Sequence, residues 1–235
     1  MTDHVLRIDP RFRGPPTSGN GGYVAGLLAK ELGGRDCVVT LRRPPPLARD
    51  LAVERDAAAV RLVDGEEVVA FAAPAPVAVD VPPPPALAAA IEAEARFSGH
   101  DHHIFPGCFV CGPERAAGDG LRIFTGRLDA GAGQVAAAWT PDDSLYDASG
   151  ALRSEFIWAA LDCPGYFAVQ DRSGPAVLGR LGVTHLCPIP AHAPLIVTGW
   201  PIASEGRKHQ VGTALHDGDG RLLAAGVATW VSLRG

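Results

Sequence analysis

Asp162 sits in the middle of a stretch, Ser154 to Val169, that is apolar nearly all round. A helix of that composition is normally buried. A buried carboxylate is costly unless it is hydrogen-bonded, paired or neutralised. Desolvation raises its pKa, which suits a general base near neutral pH or a nucleophile. The plain alternative is an acid satisfied by backbone or a hydroxyl. A second candidate is Asn20-Gly21-Gly22, directly before the apolar run Tyr23 to Leu32. Free N–H groups at a helix start address developing negative charge, and glycine permits close approach, so Gly21 and Gly22 can build an oxyanion hole. The plain alternative is a tight loop. Cys108-x-x-Cys111, with His100, His102 and His103 upstream, offers two thiolates and an imidazole to zinc. The second Cys pair of a closed zinc ribbon is missing. Thr184 and His185 lie on a strand-like run, where one can face a cleft or both can be ordinary strand residues. Arg207 and Lys208 lie near a strand turn and can meet phosphates or merely solvate the turn.

These residues need a scaffold. Ser154 reads as the N-cap of the central helix, Glu155 suits its first turn, and Pro164 predicts a bend or break. Tyr23 to Leu32 is a second apolar helix, closed by Gly33-Gly34. Strands are expected at Val5 to Ile8, at Cys37 to Leu41, within Leu51 to Val63, and from Glu67 to Phe71, with Asp64-Gly65 as a hairpin turn. In the second half Leu121 to Phe124 and Gln134 to Trp139 are expected to pair. Further strands run near Val177 to Leu186, Leu195 to Pro201, Lys208 to Leu215 and Leu222 to Val231, with Asp219-Gly220 as the last turn.

The chain has 235 residues, 47% hydrophobic and 20% charged, as expected of a soluble globular protein of one large or two small domains. A net charge of −5 without a basic run argues against nucleic acid as the main partner. No apolar run is long enough to span a bilayer, and the first residues do not open a signal peptide. Five cysteines without a regular framework suit a reducing cytoplasm.

The two halves repeat each other. Val39-Thr40-Leu41-Arg42-Arg43-Pro44 reads like Val183-Thr184-His185-Leu186-Cys187-Pro188. Asp64-Gly65 before Val68-Val69-Ala70 reads like Asp219-Gly220 before Leu222-Leu223-Ala224. Each half is a buried helix followed by a meander of strands, the mark of an internal duplication. The expected organisation is an N-terminal half over 1–80, a Pro-rich linker over 81–107, and a C-terminal half over 108–235.

A helix wrapped by an antiparallel sheet, duplicated in one chain, resembles the double-hotdog acyl-CoA thioesterases. Asn20-Gly21-Gly22-Tyr23-Val24-Ala25 resembles the Gly-Gly start of the hotdog helix. Cys108-Phe109-Val110-Cys111-Gly112 with Gly120-Leu121 resembles the opening of many single-hotdog thioesterases of the phenylacetate-pathway type. Leu161-Asp162 resembles the acidic position on their helix. The resemblance implies an α+β double hotdog that takes a small-molecule acyl thioester, has no metal or other cofactor, and can associate as a homo-oligomer of such units. It accounts for the Cys pair without zinc.

The halves depart from the family pattern in complementary ways. Counting from Asn20, the acid position falls at Ala29. Counting back from Asp162, the Gly-Gly turn is replaced by Arg153-Ser154-Glu155. An acid about eight residues into its own helix lies roughly 12 Å from that helix's start, at about 1.5 Å per residue. Two antiparallel helices bring the start of one beside the middle of the other. One active site is then expected, with Asn20, Gly21 and Gly22 from one half and Asp162 from the other. Two rival activities are a non-catalytic acyl-binding protein and a hydratase or dehydratase. The latter needs a His a few residues after the acid, where Phe167 stands.

Overall fold

The computed structural model describes residues 2–33, 36–128 and 133–234. Among the described residues eleven strands form one sheet, and every pairing in it is antiparallel. The first half runs β1 (Thr2–Arg7), α1 (Gly21–Lys30), β2 (Cys37–Leu41), β3 (Asp50–Arg55), β4 (Val60–Asp64) and β5 (Glu67–Pro74). Then come α2 (Leu87–Glu94), β6 (Gly126–Arg127), β7 (Val135–Trp139), α3 (Ser154–Ala160), α4 (Cys163–Ser173), β8 (Ala176–His185), β9 (Leu195–Glu205), β10 (Lys208–Asp217) and β11 (Leu222–Ser232). The fold is α+β. No helix among the described residues is long and apolar enough to cross a membrane.

The strand order is β1-β3-β4-β5-β2-β8-β11-β10-β9-β7-β6. Outward from the central β2–β8 pair, each half repeats the same sequence of strands: the first after the helix, the fourth, the third, the second, then the strand before the helix. Cys37 pairs with Val183 and Val39 with Leu181. Matching Val39 to Val183, as the sequence repeat does, also matches Cys37 to Leu181, so exchanging the halves leaves this register unchanged. The sheet is therefore two-fold about its centre in topology.

Helices α1 and α3 pack face to face and antiparallel. Gly22 lies against Asp162 and Ala159, while Gly26 lies against Glu155. The approach is close because both positions lack a Cβ. One on Gly26 would sit 2.6 Å from Glu155 Cα, and one on Gly22 would sit 2.7 Å from Trp158 O. At the far end Lys30 Nζ pairs with the buried Glu155 at 3.2 Å.

The break expected at Pro164 is present, and the structure departs from the sequence expectations at three other places. The central helix is two helices, with the break at Leu161-Asp162. Pro164 lacks the N–H that would continue the ladder, yet it fits the first turn of α4. The Leu161 carbonyl beside the break accepts a 2.9 Å bond from Thr213 Oγ1. At the start of α3, Arg153 rather than Ser154 occupies the cap position. Leu51 to Val63 is two strands, because Asp56 Oδ1 accepts from the N–H groups of Ala58 and Ala59 and turns the chain. Leu121 to Phe124 is not a strand: Leu121 and Ile123 donate to the carbonyls of Phe109 and Val110, and only Gly126–Arg127 joins β7.

Candidate active site

Asn20 is the N-cap of α1, and its Oδ1 accepts the Tyr23 N–H at 2.9 Å. That bond fixes the side chain so that Nδ2 faces the break between α3 and α4. There it donates to Asp162 Oδ2 at 2.9 Å, and the Gly22 N–H donates to the same oxygen, also at 2.9 Å. Asp162 is 2% exposed. Its other oxygen, Oδ1, is buried with no hydrogen-bond partner among the described residues. Desolvation raises the pKa of Asp162 to about 7; the two donors on Oδ2 oppose the rise, and the Cys108 thiol adds to it.

Asn20, Gly21 and Asp162 line a cavity of about 310 Å³. Its walls are largely apolar, with Leu41, Phe105, Leu178, Tyr166 and Trp230 among them, and Arg42 and Arg43 also line it. Trp230 Nε1 is a further buried donor without a partner among the described residues. An apolar pocket with a few convergent polar groups is the usual form of a small-molecule site.

Asn20, Gly21, Gly22 and Asp162 thus come together, across the two halves. The role expected of Gly22 needs correction: its N–H is spent on Asp162 and is not free for an oxyanion. The Gly21 N–H has no hydrogen-bond partner among the described residues. Thr184 and His185 do not join the site. They lie at the end of β8 opposite Ala176 and Val177, which line the cavity, and Thr184 donates to Asp36 instead. Arg207 and Lys208 are nearer. Val231, a lining residue, pairs with Val177 on one side and with Lys208 on the other. Arg207 donates to Ser232 O at 3.2 Å.

The sequence reading missed Cys163. This first residue of α4 brings its sulfur 3.8 Å from that of Cys108. Hydrogen bonds from the Cys111 and Cys163 thiols hold the Cys108 thiol well below its ordinary pKa. Cys111 is raised, chiefly by burial, and Cys163 chiefly by its bond to Cys108. Nothing local in the sequence joins residues 108 and 163. Arg42 was read only as part of the repeat, and nothing in its neighbourhood marks it as cavity-lining.

No protein-family model matches the sequence, and no curated protein matches it. Solved structures do. The tesB protein of Mycobacterium avium subspecies paratuberculosis is similar with a TM-score of 0.63, over 98% of this chain and 92% of that one, at 13% identity. A candidate thioesterase from Novosphingobium aromaticivorans gives 0.61, over 98% and 95%, at 15% identity. A candidate thioesterase II from Thermobifida fusca gives 0.61, over 99% and 96%, at 16% identity. The chain shares its fold with these structures, a hotdog-like α+β fold. The similarity spans nearly the whole chain.

Proposed function

We propose that the protein is a double hotdog, with halves at 1–80 and 108–235 joined by 81–107, and that it hydrolyses an acyl thioester, with acyl-CoA as the first candidate. The observation that carries this reading is geometric. Asp162 is held through one oxygen by Asn20 and Gly22, while its second, unpartnered oxygen belongs to a residue of an apolar cavity. An acceptor left unsatisfied in the interior costs about 1–3 kcal/mol, and such a cost is typical of a group kept for a ligand or for water.

In this reading the acyl chain occupies the apolar wall and the thioester carbonyl meets the Gly21 N–H. A water beside Asp162 attacks the carbonyl carbon while Asp162 takes its proton. The tetrahedral oxyanion collapses, the C–S bond breaks, and the sulfur leaves with the electron pair and receives the proton. The products are a carboxylic acid and a thiol. Direct attack by Asp162, through an anhydride that water then opens, uses the same residues. Arg42, with Arg207 and Lys208 two strands over from Val177, supplies positive charge for the phosphates of coenzyme A.

The test is turnover of a panel of acyl-CoA esters, followed by loss of thioester absorbance, which the protein's own thiols do not disturb. Asp162→Asn keeps the shape and an oxygen for Asn20 and Gly22 but removes the base. Its turnover is expected to fall by about 10²–10⁴-fold, with thermal unfolding unchanged or raised because a desolvated charge is gone. A folded Asn variant that turns over like the parent removes Asp162 from the mechanism. A parent that binds acyl-CoA but cleaves none of the panel makes the protein an acyl-binding hotdog.

A further inference from the structure

From the three sulfurs of Cys108, Cys111 and Cys163, which meet at the cavity wall, we infer a binding site for Zn2+, with its fourth position on the cavity side. The inference goes beyond the hydrolase reading and does not depend on it.

The three sulfur atoms all lie within 4.8 Å of one another, and all three residues are buried. With Zn–S bonds of about 2.3 Å, a tetrahedral site has S···S edges of ~3.8 Å. The Cys108–Cys163 separation is 3.8 Å. The ligands come from two rigid pieces. Cys108-Phe109-Val110-Cys111 is a tight loop closed by the Gly112 N–H on Cys108 O at 2.9 Å. Gly112 permits this turn, because a Cβ there would sit 2.5 Å from both Cys108 O and Pro106 O. The bonds from Leu121 and Ile123 to Phe109 and Val110 pin the loop from outside. Cys163 arrives from the opposite side at the first position of α4.

His103 completes the surroundings without being a ligand. Its Nδ1 accepts the Phe105 N–H at 2.9 Å, so the ring proton sits on Nε2, 3.3 Å from Cys111 Sγ. It therefore donates to that sulfur and orients it, as outer partners of metal ligands do. Asn20 Nδ2 lies 3.9 Å from both Cys108 Sγ and Cys163 Sγ. Three protein ligands with the fourth place left to water or to a bound molecule is the pattern of an open zinc site, whereas structural sites close with four. The family resemblance had assigned the Cys pair no metal; the third thiol changes that balance.

The test uses the full chain, purified under reductant from zinc-supplemented culture. Metal analysis is expected to find about one zinc per chain. Replacement by Co2+ is expected to give intense thiolate-to-cobalt charge-transfer absorption and the visible bands of a tetrahedral site. Cys108→Ser, Cys111→Ser and Cys163→Ser should each lower zinc affinity by at least about tenfold. Cys187→Ser, away from the cavity, should leave it unchanged. Because the parent is measured directly, a variant that fails to fold does not hide the answer. Reduced parent that takes up neither zinc nor cobalt overturns the site. So does a cobalt spectrum without thiolate bands, or zinc content unaffected by all three substitutions in folded variants.

Discussion

Asn20 Nδ2 and Asp162 Oδ2 lie 2.9 Å apart, although 142 residues separate them in sequence. Asn20 does two jobs with one amide: its oxygen caps α1 and its nitrogen holds the acid. The contact joins a helix start in one half to a helix break in the other. The Gly22 N–H, from the same helix start, is the other donor to the Asp162 carboxylate among the described residues.

The two jobs of Asn20 can be separated. Asn20→Ser and Asn20→Asp both keep a capping oxygen for the Tyr23 N–H. Ser removes the donor to Asp162, while Asp replaces it with a second carboxylate beside the first. Unfolding by urea at neutral pH is expected to show a loss of about 1–3 kcal/mol for Asn20→Ser. Asn20→Asp should lose more, because like charges sharing a buried site cannot both ionise without penalty. Equal losses for the two would mean that the cap, not the contact with Asp162, gives Asn20 its value.

Gly26 tests the helix contact apart from the chemistry. Alanine would gain about 1 kcal/mol of helix propensity. Its Cβ, however, would meet backbone, 2.6 Å from Glu155 Cα and 3.2 Å from Glu155 O, which cannot rotate away. Overpacking of this kind costs about 1–3 kcal/mol, and the steric cost should win. Thermal unfolding of Gly26→Ala is expected to shift to lower temperature. A higher midpoint would show that α1 and α3 can separate freely.

The ion pair at the other end of the helices makes a third case. Glu155 is buried and Lys30 about half exposed. Among the described residues, Lys30→Met leaves the carboxylate with only Arg153, at 4.0 Å. A loss of about 1–3 kcal/mol is expected, smaller than for a fully buried pair because water reaches the lysine. The double variant Lys30→Met/Glu155→Leu should recover most of it. If the double variant is as unstable as the single, the penalty does not come from the stranded charge.

Much of this was legible in the sequence because it depends on local composition. The apolar surroundings of Asp162, the Gly-Gly after Asn20 and the Asp-Gly turns each carry their meaning within a few residues. The complementary gaps at Ala29 and at Arg153-Ser154-Glu155 also pointed to a site shared between the halves. What was not legible depends on partners far along the chain. The Gly22 N–H looked free until Asp162 was placed on it. The turn at Asp56 carries no Gly or Pro and is made by a side-chain oxygen. Leu121 to Phe124 has strand composition, but its hydrogen bonds go to the Cys108 loop. Cys163 gains its significance only from two thiols met across the fold.

The antiparallel helices have one more consequence. Where two separate subunits supply the turn and the acid, diluting them pulls the site apart. Here both pieces belong to one polypeptide, and the continuous sheet through β2–β8 holds them at a fixed local concentration. The meeting of Asn20 with Asp162 is therefore a first-order property of the chain, as complete in one molecule as in a crowd.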